Sequence, residues 1–166
     1  MTSFQITEIK NFMAALLTNE TFDSFLLEEA SITTFNTFHI DGRLVADFYN
    51  KEEEDISFLS EYAFSHWKEM RPICFQLIKG KKTPVSFKFT FQLRPASLKK
   101  LLEQGDTNLT EEDVKSFVLN VKYESGLLSL ITATSTYTFL MDKSADAIWD
   151  NAMRQFLISH QIAFEE

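Results

Sequence analysis

Three histidines and a single cysteine are the residues of this chain best suited to nucleophilic or metal chemistry. Nucleophilic hydrolysis needs a nucleophile, a base and an orienting group held in contact. Cys74 sits between Ile73 and Phe75, where a cysteine behaves as a small hydrophobe rather than a thiolate. No serine is framed by glycines in the manner of a nucleophile elbow. His39 and Asp41 are two residues apart, the spacing that puts both on one face of a strand. Two ligands make an incomplete metal site, and His66 and His160 stand alone in the sequence. The run Lys79-Gly80-Lys81-Lys82-Thr83 has one glycine and lacks the length of a phosphate-cradling loop. No dinucleotide fingerprint or catalytic carboxylate pair is visible. No catalytic residue, metal ligand or cofactor is therefore assigned.

Charge is the stronger signal. The chain of 166 residues carries a net −8. Between Lys68 and Lys100 there are nine basic residues and one acid, Glu69, a net +8 in a chain that is otherwise net −16. Such asymmetry points to an anionic partner for one face. The candidate binding residues are Lys79, Lys81, Lys82, Lys88, Arg94, Lys99 and Lys100. The first three are held together by a helix end at Gly80 and a turn through Thr83-Pro84, and Lys88 is expected to share one face with them. The alternative is that acids elsewhere in the fold cover these cations. The acidic run Glu52–Asp55 reads as a solvated loop.

These residues need elements to position them. Apolar spacing predicts helices over 7–18, 70–79 and 95–104, with Pro72 as a first-turn proline and Gly80 and Gly105 as caps. A last helix follows Ser144, with Trp149 and Phe156 in its apolar stripe. Strict alternation predicts a strand over 85–93 with Phe87, Phe89 and Phe91 buried and Lys88 and Thr90 exposed. Strands are also expected at Ser3–Ile6, Phe22–Glu29, Ser31–Ile40 and Phe117–Tyr123, with the last returning through Ser125-Gly126 to Leu127–Thr134. Asp41-Gly42 reads as a hairpin turn into a strand over Arg43–Tyr49, and Thr136–Met141 as a further strand. Residues 50–60 read as irregular, and Tyr62–Trp67 fits no one class. Phenylalanine occurs 17 times, which implies an aromatic core, with a base- or peptide-stacking platform as the sharper alternative.

The fold class is α+β: antiparallel sheet with helices packed on one face, plus a C-terminal helix. One domain over 1–166 is expected, with halves 1–60 and 61–166 as a finer division. The stretches Ser31–Phe38, Ile78–Pro84 and Ser86-Phe87-Lys88 resemble an uncharacterised bacterial family from gut Firmicutes, to which no activity is attached. The loose repetition of a helix followed by three strands is similar to one domain of a DNA sliding clamp, which implies two βαβββ-like units. It implies nothing about function, because the exposed side of the first helix, with Glu8, Lys10, Asn11, Ala14 and Thr18, is not basic.

The leading expectation is a non-enzymatic binding or interaction module whose partner is a nucleic acid or an acidic protein surface. One alternative is an enzyme assembled from scattered residues, with His39, His66 or Cys74 as candidates. Another is a self-associating structural subunit, a homo-oligomer joined through exposed phenylalanines. No apolar run reaches a membrane span and the first ten residues lack a signal-peptide pattern. The lone cysteine suits a reducing compartment, so a soluble, cytoplasmic protein is expected.

Overall fold

The computed structural model describes residues 1–166. Its strands are β1 (Ser3–Ile6), β2 (Phe25–Thr33), β3 (Thr37–Asp41), β4 (Ser65–His66), β5 (Ser86–Leu93), β6 (Val114–Glu124), β7 (Leu127–Thr136) and β8 (Phe164–Glu165). Its helices are α1 (Ile9–Leu17), α2 (Glu53–Glu61), α3 (Trp67–Ile78), α4 (Pro95–Gln104) and α5 (Ser144–Ser159). All strands join one antiparallel sheet in the order β3-β2-β5-β6-β7-β1-β8, with the short β4 on the edge of β2. The class is α+β, as the alternation and hairpin signals imply. No helix is long and apolar enough to cross a membrane.

One face of the sheet is the core. Phe87, Phe89 and Phe91 of β5 stand beside Leu27 and Ile32 of β2 and Leu119 and Val121 of β6, all buried. Trp67 of α3 packs edge-on to Phe91 at 4.9 Å, and Trp149 of α5 lies flat on Phe117 at 5.2 Å. Phe22, in the α1–β2 link, touches Phe12, Phe25, Phe91 and Phe156. Most phenylalanines thus serve the core; only Phe35, Phe48 and Phe139 stand largely exposed. The opposite face carries Lys88, Gln92, Asn120 and Lys122, half-buried or exposed. Thr90 lies on that side too, but is buried at 7% exposure and donates to the Asn120 Oδ1 at 3.1 Å, contrary to the expectation that it is exposed.

Several expected elements are placed differently. The hairpin between β2 and β3 turns at residues 34–36, so of the two strands expected at Phe22–Glu29 and Ser31–Ile40 the first runs on to Thr33 and the second starts only at Thr37. Asp41-Gly42 is not a hairpin turn. Gly42 lies against the backbone of a β-bulge at Leu27/Glu29, and after it Arg43 forms only an isolated bridge to Phe64. No strand spans Arg43–Tyr49. Residues 53–61 are helical rather than irregular, because Glu53, Glu54 and Asp55 fill a first turn that favours acids.

Helix α3 starts at Trp67, whose buried ring pulls the helix start forward, and Pro72 falls inside it on the exposed side. The β6–β7 ladder ends at Val114 opposite Thr136, and past it only the Tyr137 N–H finds a partner there, the Asp113 carbonyl at 3.2 Å, so the expected strand over Thr136–Met141 does not form. Ser144 is the first residue of α5 rather than its cap; Lys143 stands at the cap position, and Asp142 before it accepts the Ser144 N–H at 2.9 Å. Gly105 has an ordinary φ of −85°; a Cβ there would meet the Ile148 Cδ1 at 2.5 Å, so space explains it.

Candidate anion-binding groove

Helix α3 ends at Ile78, and the chain crosses to β5 through Lys79–Val85. Two backbone bonds anchor this crossing: Lys79 N–H to Phe75 O at 2.8 Å and Val85 N–H to Thr33 O at 2.9 Å. Gly80 takes φ +150°, a conformation side chains disfavour, with open space where a Cβ would stand. The crossing overhangs a groove of about 360 Å³ between α1, the last turn of α3, and the sheet. Its floor is Ile9, Met13 and Leu17 of α1, Phe75 and Ile78 of α3, and Phe87 stacked on Tyr123 at 5.2 Å. Its rim is Lys10, Lys79, Lys81 and Lys82.

No acidic residue lines this groove, and none of its four lysines lies within ion-pair distance of a carboxylate. The Lys79 ammonium stands 6.0 Å from the Phe75 ring centroid, a cation–π contact. The negative end of the α3 dipole helps to keep lysines here. No carboxylate of the chain offsets their mutual repulsion.

The other expected basic residues go elsewhere. Alternation along β5 turns Phe87 into the groove and Lys88 to the opposite side of the sheet, so one basic face spanning Lys79, Lys81, Lys82 and Lys88 does not form. Arg94 is half-buried; its Nη2 donates to the Asp23 carbonyl at 3.1 Å, and its Nε is buried without a partner. Lys99 pairs with Glu111 at 3.5 Å. Lys100 borders a hollow between α4 and α5. Sequence reasoning missed Lys10. Its i, i+3, i+7 spacing with Met13 and Leu17 marks one stripe of α1, a signal that was available.

Residues 15–165 match a family of unknown function, DUF5721. The chain belongs to this family. No curated protein and no solved structure matches it.

The remaining candidate residues of this DUF5721 chain are held apart. Cys74 is fully buried, and burial pushes its thiol up to about 12, far from a thiolate at neutral pH. His39 and Asp41 do share a face of β3, and they line a second, larger hollow of about 580 Å³ with Glu28, Glu29, Arg43 and Lys88. That hollow holds both signs of charge, and two of its carboxylates already have partners. Arg43 Nη2 donates to Asp41 at 2.8 Å, which holds the Asp41 carboxyl below its ordinary value, and Gln92 donates to Glu28 at 2.9 Å. No group of three or more His, Cys, Asp or Glu side chains is placed to hold a metal ion. His160 at the end of α5 has its Nδ1 2.8 Å from the Phe156 carbonyl.

His66 lies against Phe58, stacked at 5.6 Å, and edge-on to Tyr62 at 4.5 Å. Burial, with the charge of Arg94 next, holds its imidazole below the ordinary 6.5. The unfolded chain therefore binds this proton more readily than the folded one. Stability from the neutral ring is present above about 6.5 and is lost as pH falls below it toward the folded value. Urea midpoints taken between neutral and mildly acidic pH are expected to fall in wild type. In His66→Phe that part of the slope should vanish; an identical slope in both would assign it to other groups.

Proposed function

We propose that this protein is a non-enzymatic binding module that takes an anionic partner at the groove rimmed by Lys10, Lys79, Lys81 and Lys82. The observation that supports this reading is a cluster of four lysines around a cavity, with no acid among the lining residues and no ion pair to any of them. Elsewhere the chain pairs several of its cations, as in the Arg71–Asp23 pair at 2.9 Å and the Lys122–Glu124 pair at 3.1 Å. Other basic side chains, such as Lys51, Lys68 and Lys115, also lack an ion pair, and what sets the groove lysines apart is that they converge on one cavity.

A duplex nucleic acid fits less well than a compact anion. Duplex binding draws on a continuous basic stripe. Here Lys88 lies behind the sheet, and Arg94 is engaged with Asp23. The sliding-clamp likeness adds no basic helix either, since α1 exposes Lys10 beside Asn11 and Ala14.

The test is an NMR titration with inorganic pyrophosphate at low salt. The amides of Gly80–Thr83 and the ammonium groups of Lys10, Lys79, Lys81 and Lys82 should shift together and saturate. In Lys79→Gln/Lys81→Gln/Lys82→Gln the shifts should shrink by about tenfold in apparent affinity, the loss of one to two charge-assisted contacts. Shifts spread evenly over all lysines, untouched by the triple substitution, would overturn the reading.

A further inference from the structure

Below its charged rim the lysine groove has a floor of Ile9, Met13, Leu17, Phe75, Ile78, Phe87 and Tyr123, so the cavity opens directly onto the hydrophobic core. Leu17, Ile78 and Phe87 are core side chains in their own right, while Met13, Phe75 and Tyr123 are half-buried. A fully hydrated anion would leave that apolar surface wet.

A nucleotide would place a base on this floor, and a base needs its edges read. No Asn, Gln, Asp or Glu lines the groove. Its side-chain hydroxyls are those of Thr18, Thr83 and Tyr123. A polar edge set against such a floor would lose hydrogen bonds to water without replacing them. A hydrocarbon chain loses nothing, and methionine on the floor adapts to its shape.

We infer that the groove binds an amphiphile: one anionic head held by Lys10, Lys79, Lys81 and Lys82, and an unbranched hydrocarbon chain laid along Met13, Leu17, Phe75 and Phe87. This assignment rests on the proposed anion site and names the class of anion that fills it. A carboxylate and a phosphate head meet the same chemistry. The source is thus a free fatty acid or a phosphorylated alkyl lipid, and the head group in the experiment separates the two.

Calorimetric titration of the whole chain tests this with hexanoate, octanoate and decanoate, with hexyl and octyl phosphate, with neutral decanol, and with acetate and inorganic phosphate, all below micelle-forming concentrations. Affinity should rise with each added methylene, by up to about fourfold per carbon while the floor is still being covered. Decanol should bind about tenfold more weakly than decanoate, for want of charge-assisted contacts. Lys81→Gln/Lys82→Gln, both exposed positions, should weaken decanoate and leave decanol unchanged. Met13→Asn should flatten the chain-length dependence, with circular dichroism confirming the fold. Tighter binding of the alkyl phosphates supports a phosphorylated lipid, and tighter binding of the carboxylates a fatty acid. If acetate and phosphate bind as well as their chained counterparts, the amphiphile is overturned while the anion reading stands. If no anion binds, or if decanol binds as decanoate does and the lysine substitutions change nothing, both fall.

Discussion

Replacing Trp149 by alanine is expected to lower the unfolding free energy by about 3–5 kcal/mol, the range for deleting a fully buried large aromatic. Trp149 is 2% exposed in the middle of α5. Its ring lies parallel to Phe117 of β6, 10° between planes, with Phe25 of β2 6.5 Å away on the same face. It therefore joins the helix to two strands that are not neighbours in the sheet. Its indole N–H also donates to the Val118 carbonyl at 2.8 Å. Trp149→Phe separates the two contributions, keeping most of the apolar volume and losing the hydrogen bond, and should cost about 1–2 kcal/mol. The check is chemical denaturation read as a midpoint shift at constant slope. An alanine variant with the wild-type midpoint would mean that α5 adds little to the core. Trp149 borders the α4–α5 hollow and not the lysine groove, so anion binding per folded molecule should be unchanged.

Legibility of the fold in the sequence tracks how local each signal is. The alternation over 85–93 is a period-two pattern within one segment, and β5 forms with Phe87, Phe89 and Phe91 buried. Ser125-Gly126 is also a local signal; both residues take positive φ, at 54° and 77°, as a tight primed turn requires. Thr90 reads as exposed from its own strand because its neighbour across the sheet, Asn120, lies 30 residues away. Strand β8 escapes a sequence reading, because two residues at the chain end carry no pattern of their own and pair only through β1.

The candidate site divides in the same way. Lys79, Lys81 and Lys82 are neighbours in sequence and stay together in space. Lys88 is only six residues beyond Lys82, yet one step of β-alternation sends it behind the sheet. Lys10 joins the rim from the far end of the sequence, through the packing of α1 against α3. That packing is fixed by core contacts such as the Trp67 indole N–H donating to Leu16 O at 3.0 Å, which no charge pattern reveals.

Gly42→Ala carries the second large effect, and its cause is space rather than backbone conformation. Gly42 is buried with an ordinary φ, and a Cβ there would stand 1.9 Å from the Leu27 carbonyl oxygen and 2.9 Å from that of Glu28. Both atoms are backbone and cannot swing aside. The close approach lets the Gly42 N–H reach Glu28 O at 2.8 Å while its own carbonyl accepts the Ser65 N–H at 2.8 Å, so one residue stitches the bulge of β2 to β4. Alanine must push that edge apart, at a cost of about 3 kcal/mol, the upper end for overpacking. Hydrogen exchange should show the loss at the amides of Gly42, Leu44 and Ser65 before any in β6 or β7. Gly126→Ala is the contrast: φ is +77° but nothing stands within 4 Å of the new Cβ, so the cost should be only about 1 kcal/mol. If Gly42→Ala proves no worse than Gly126→Ala, the bulge can relax around a methyl group. The Asp41-Gly42 step would then be an ordinary connection, and the hollow lined by His39, Asp41 and Arg43 would lose the rigid edge that shapes it.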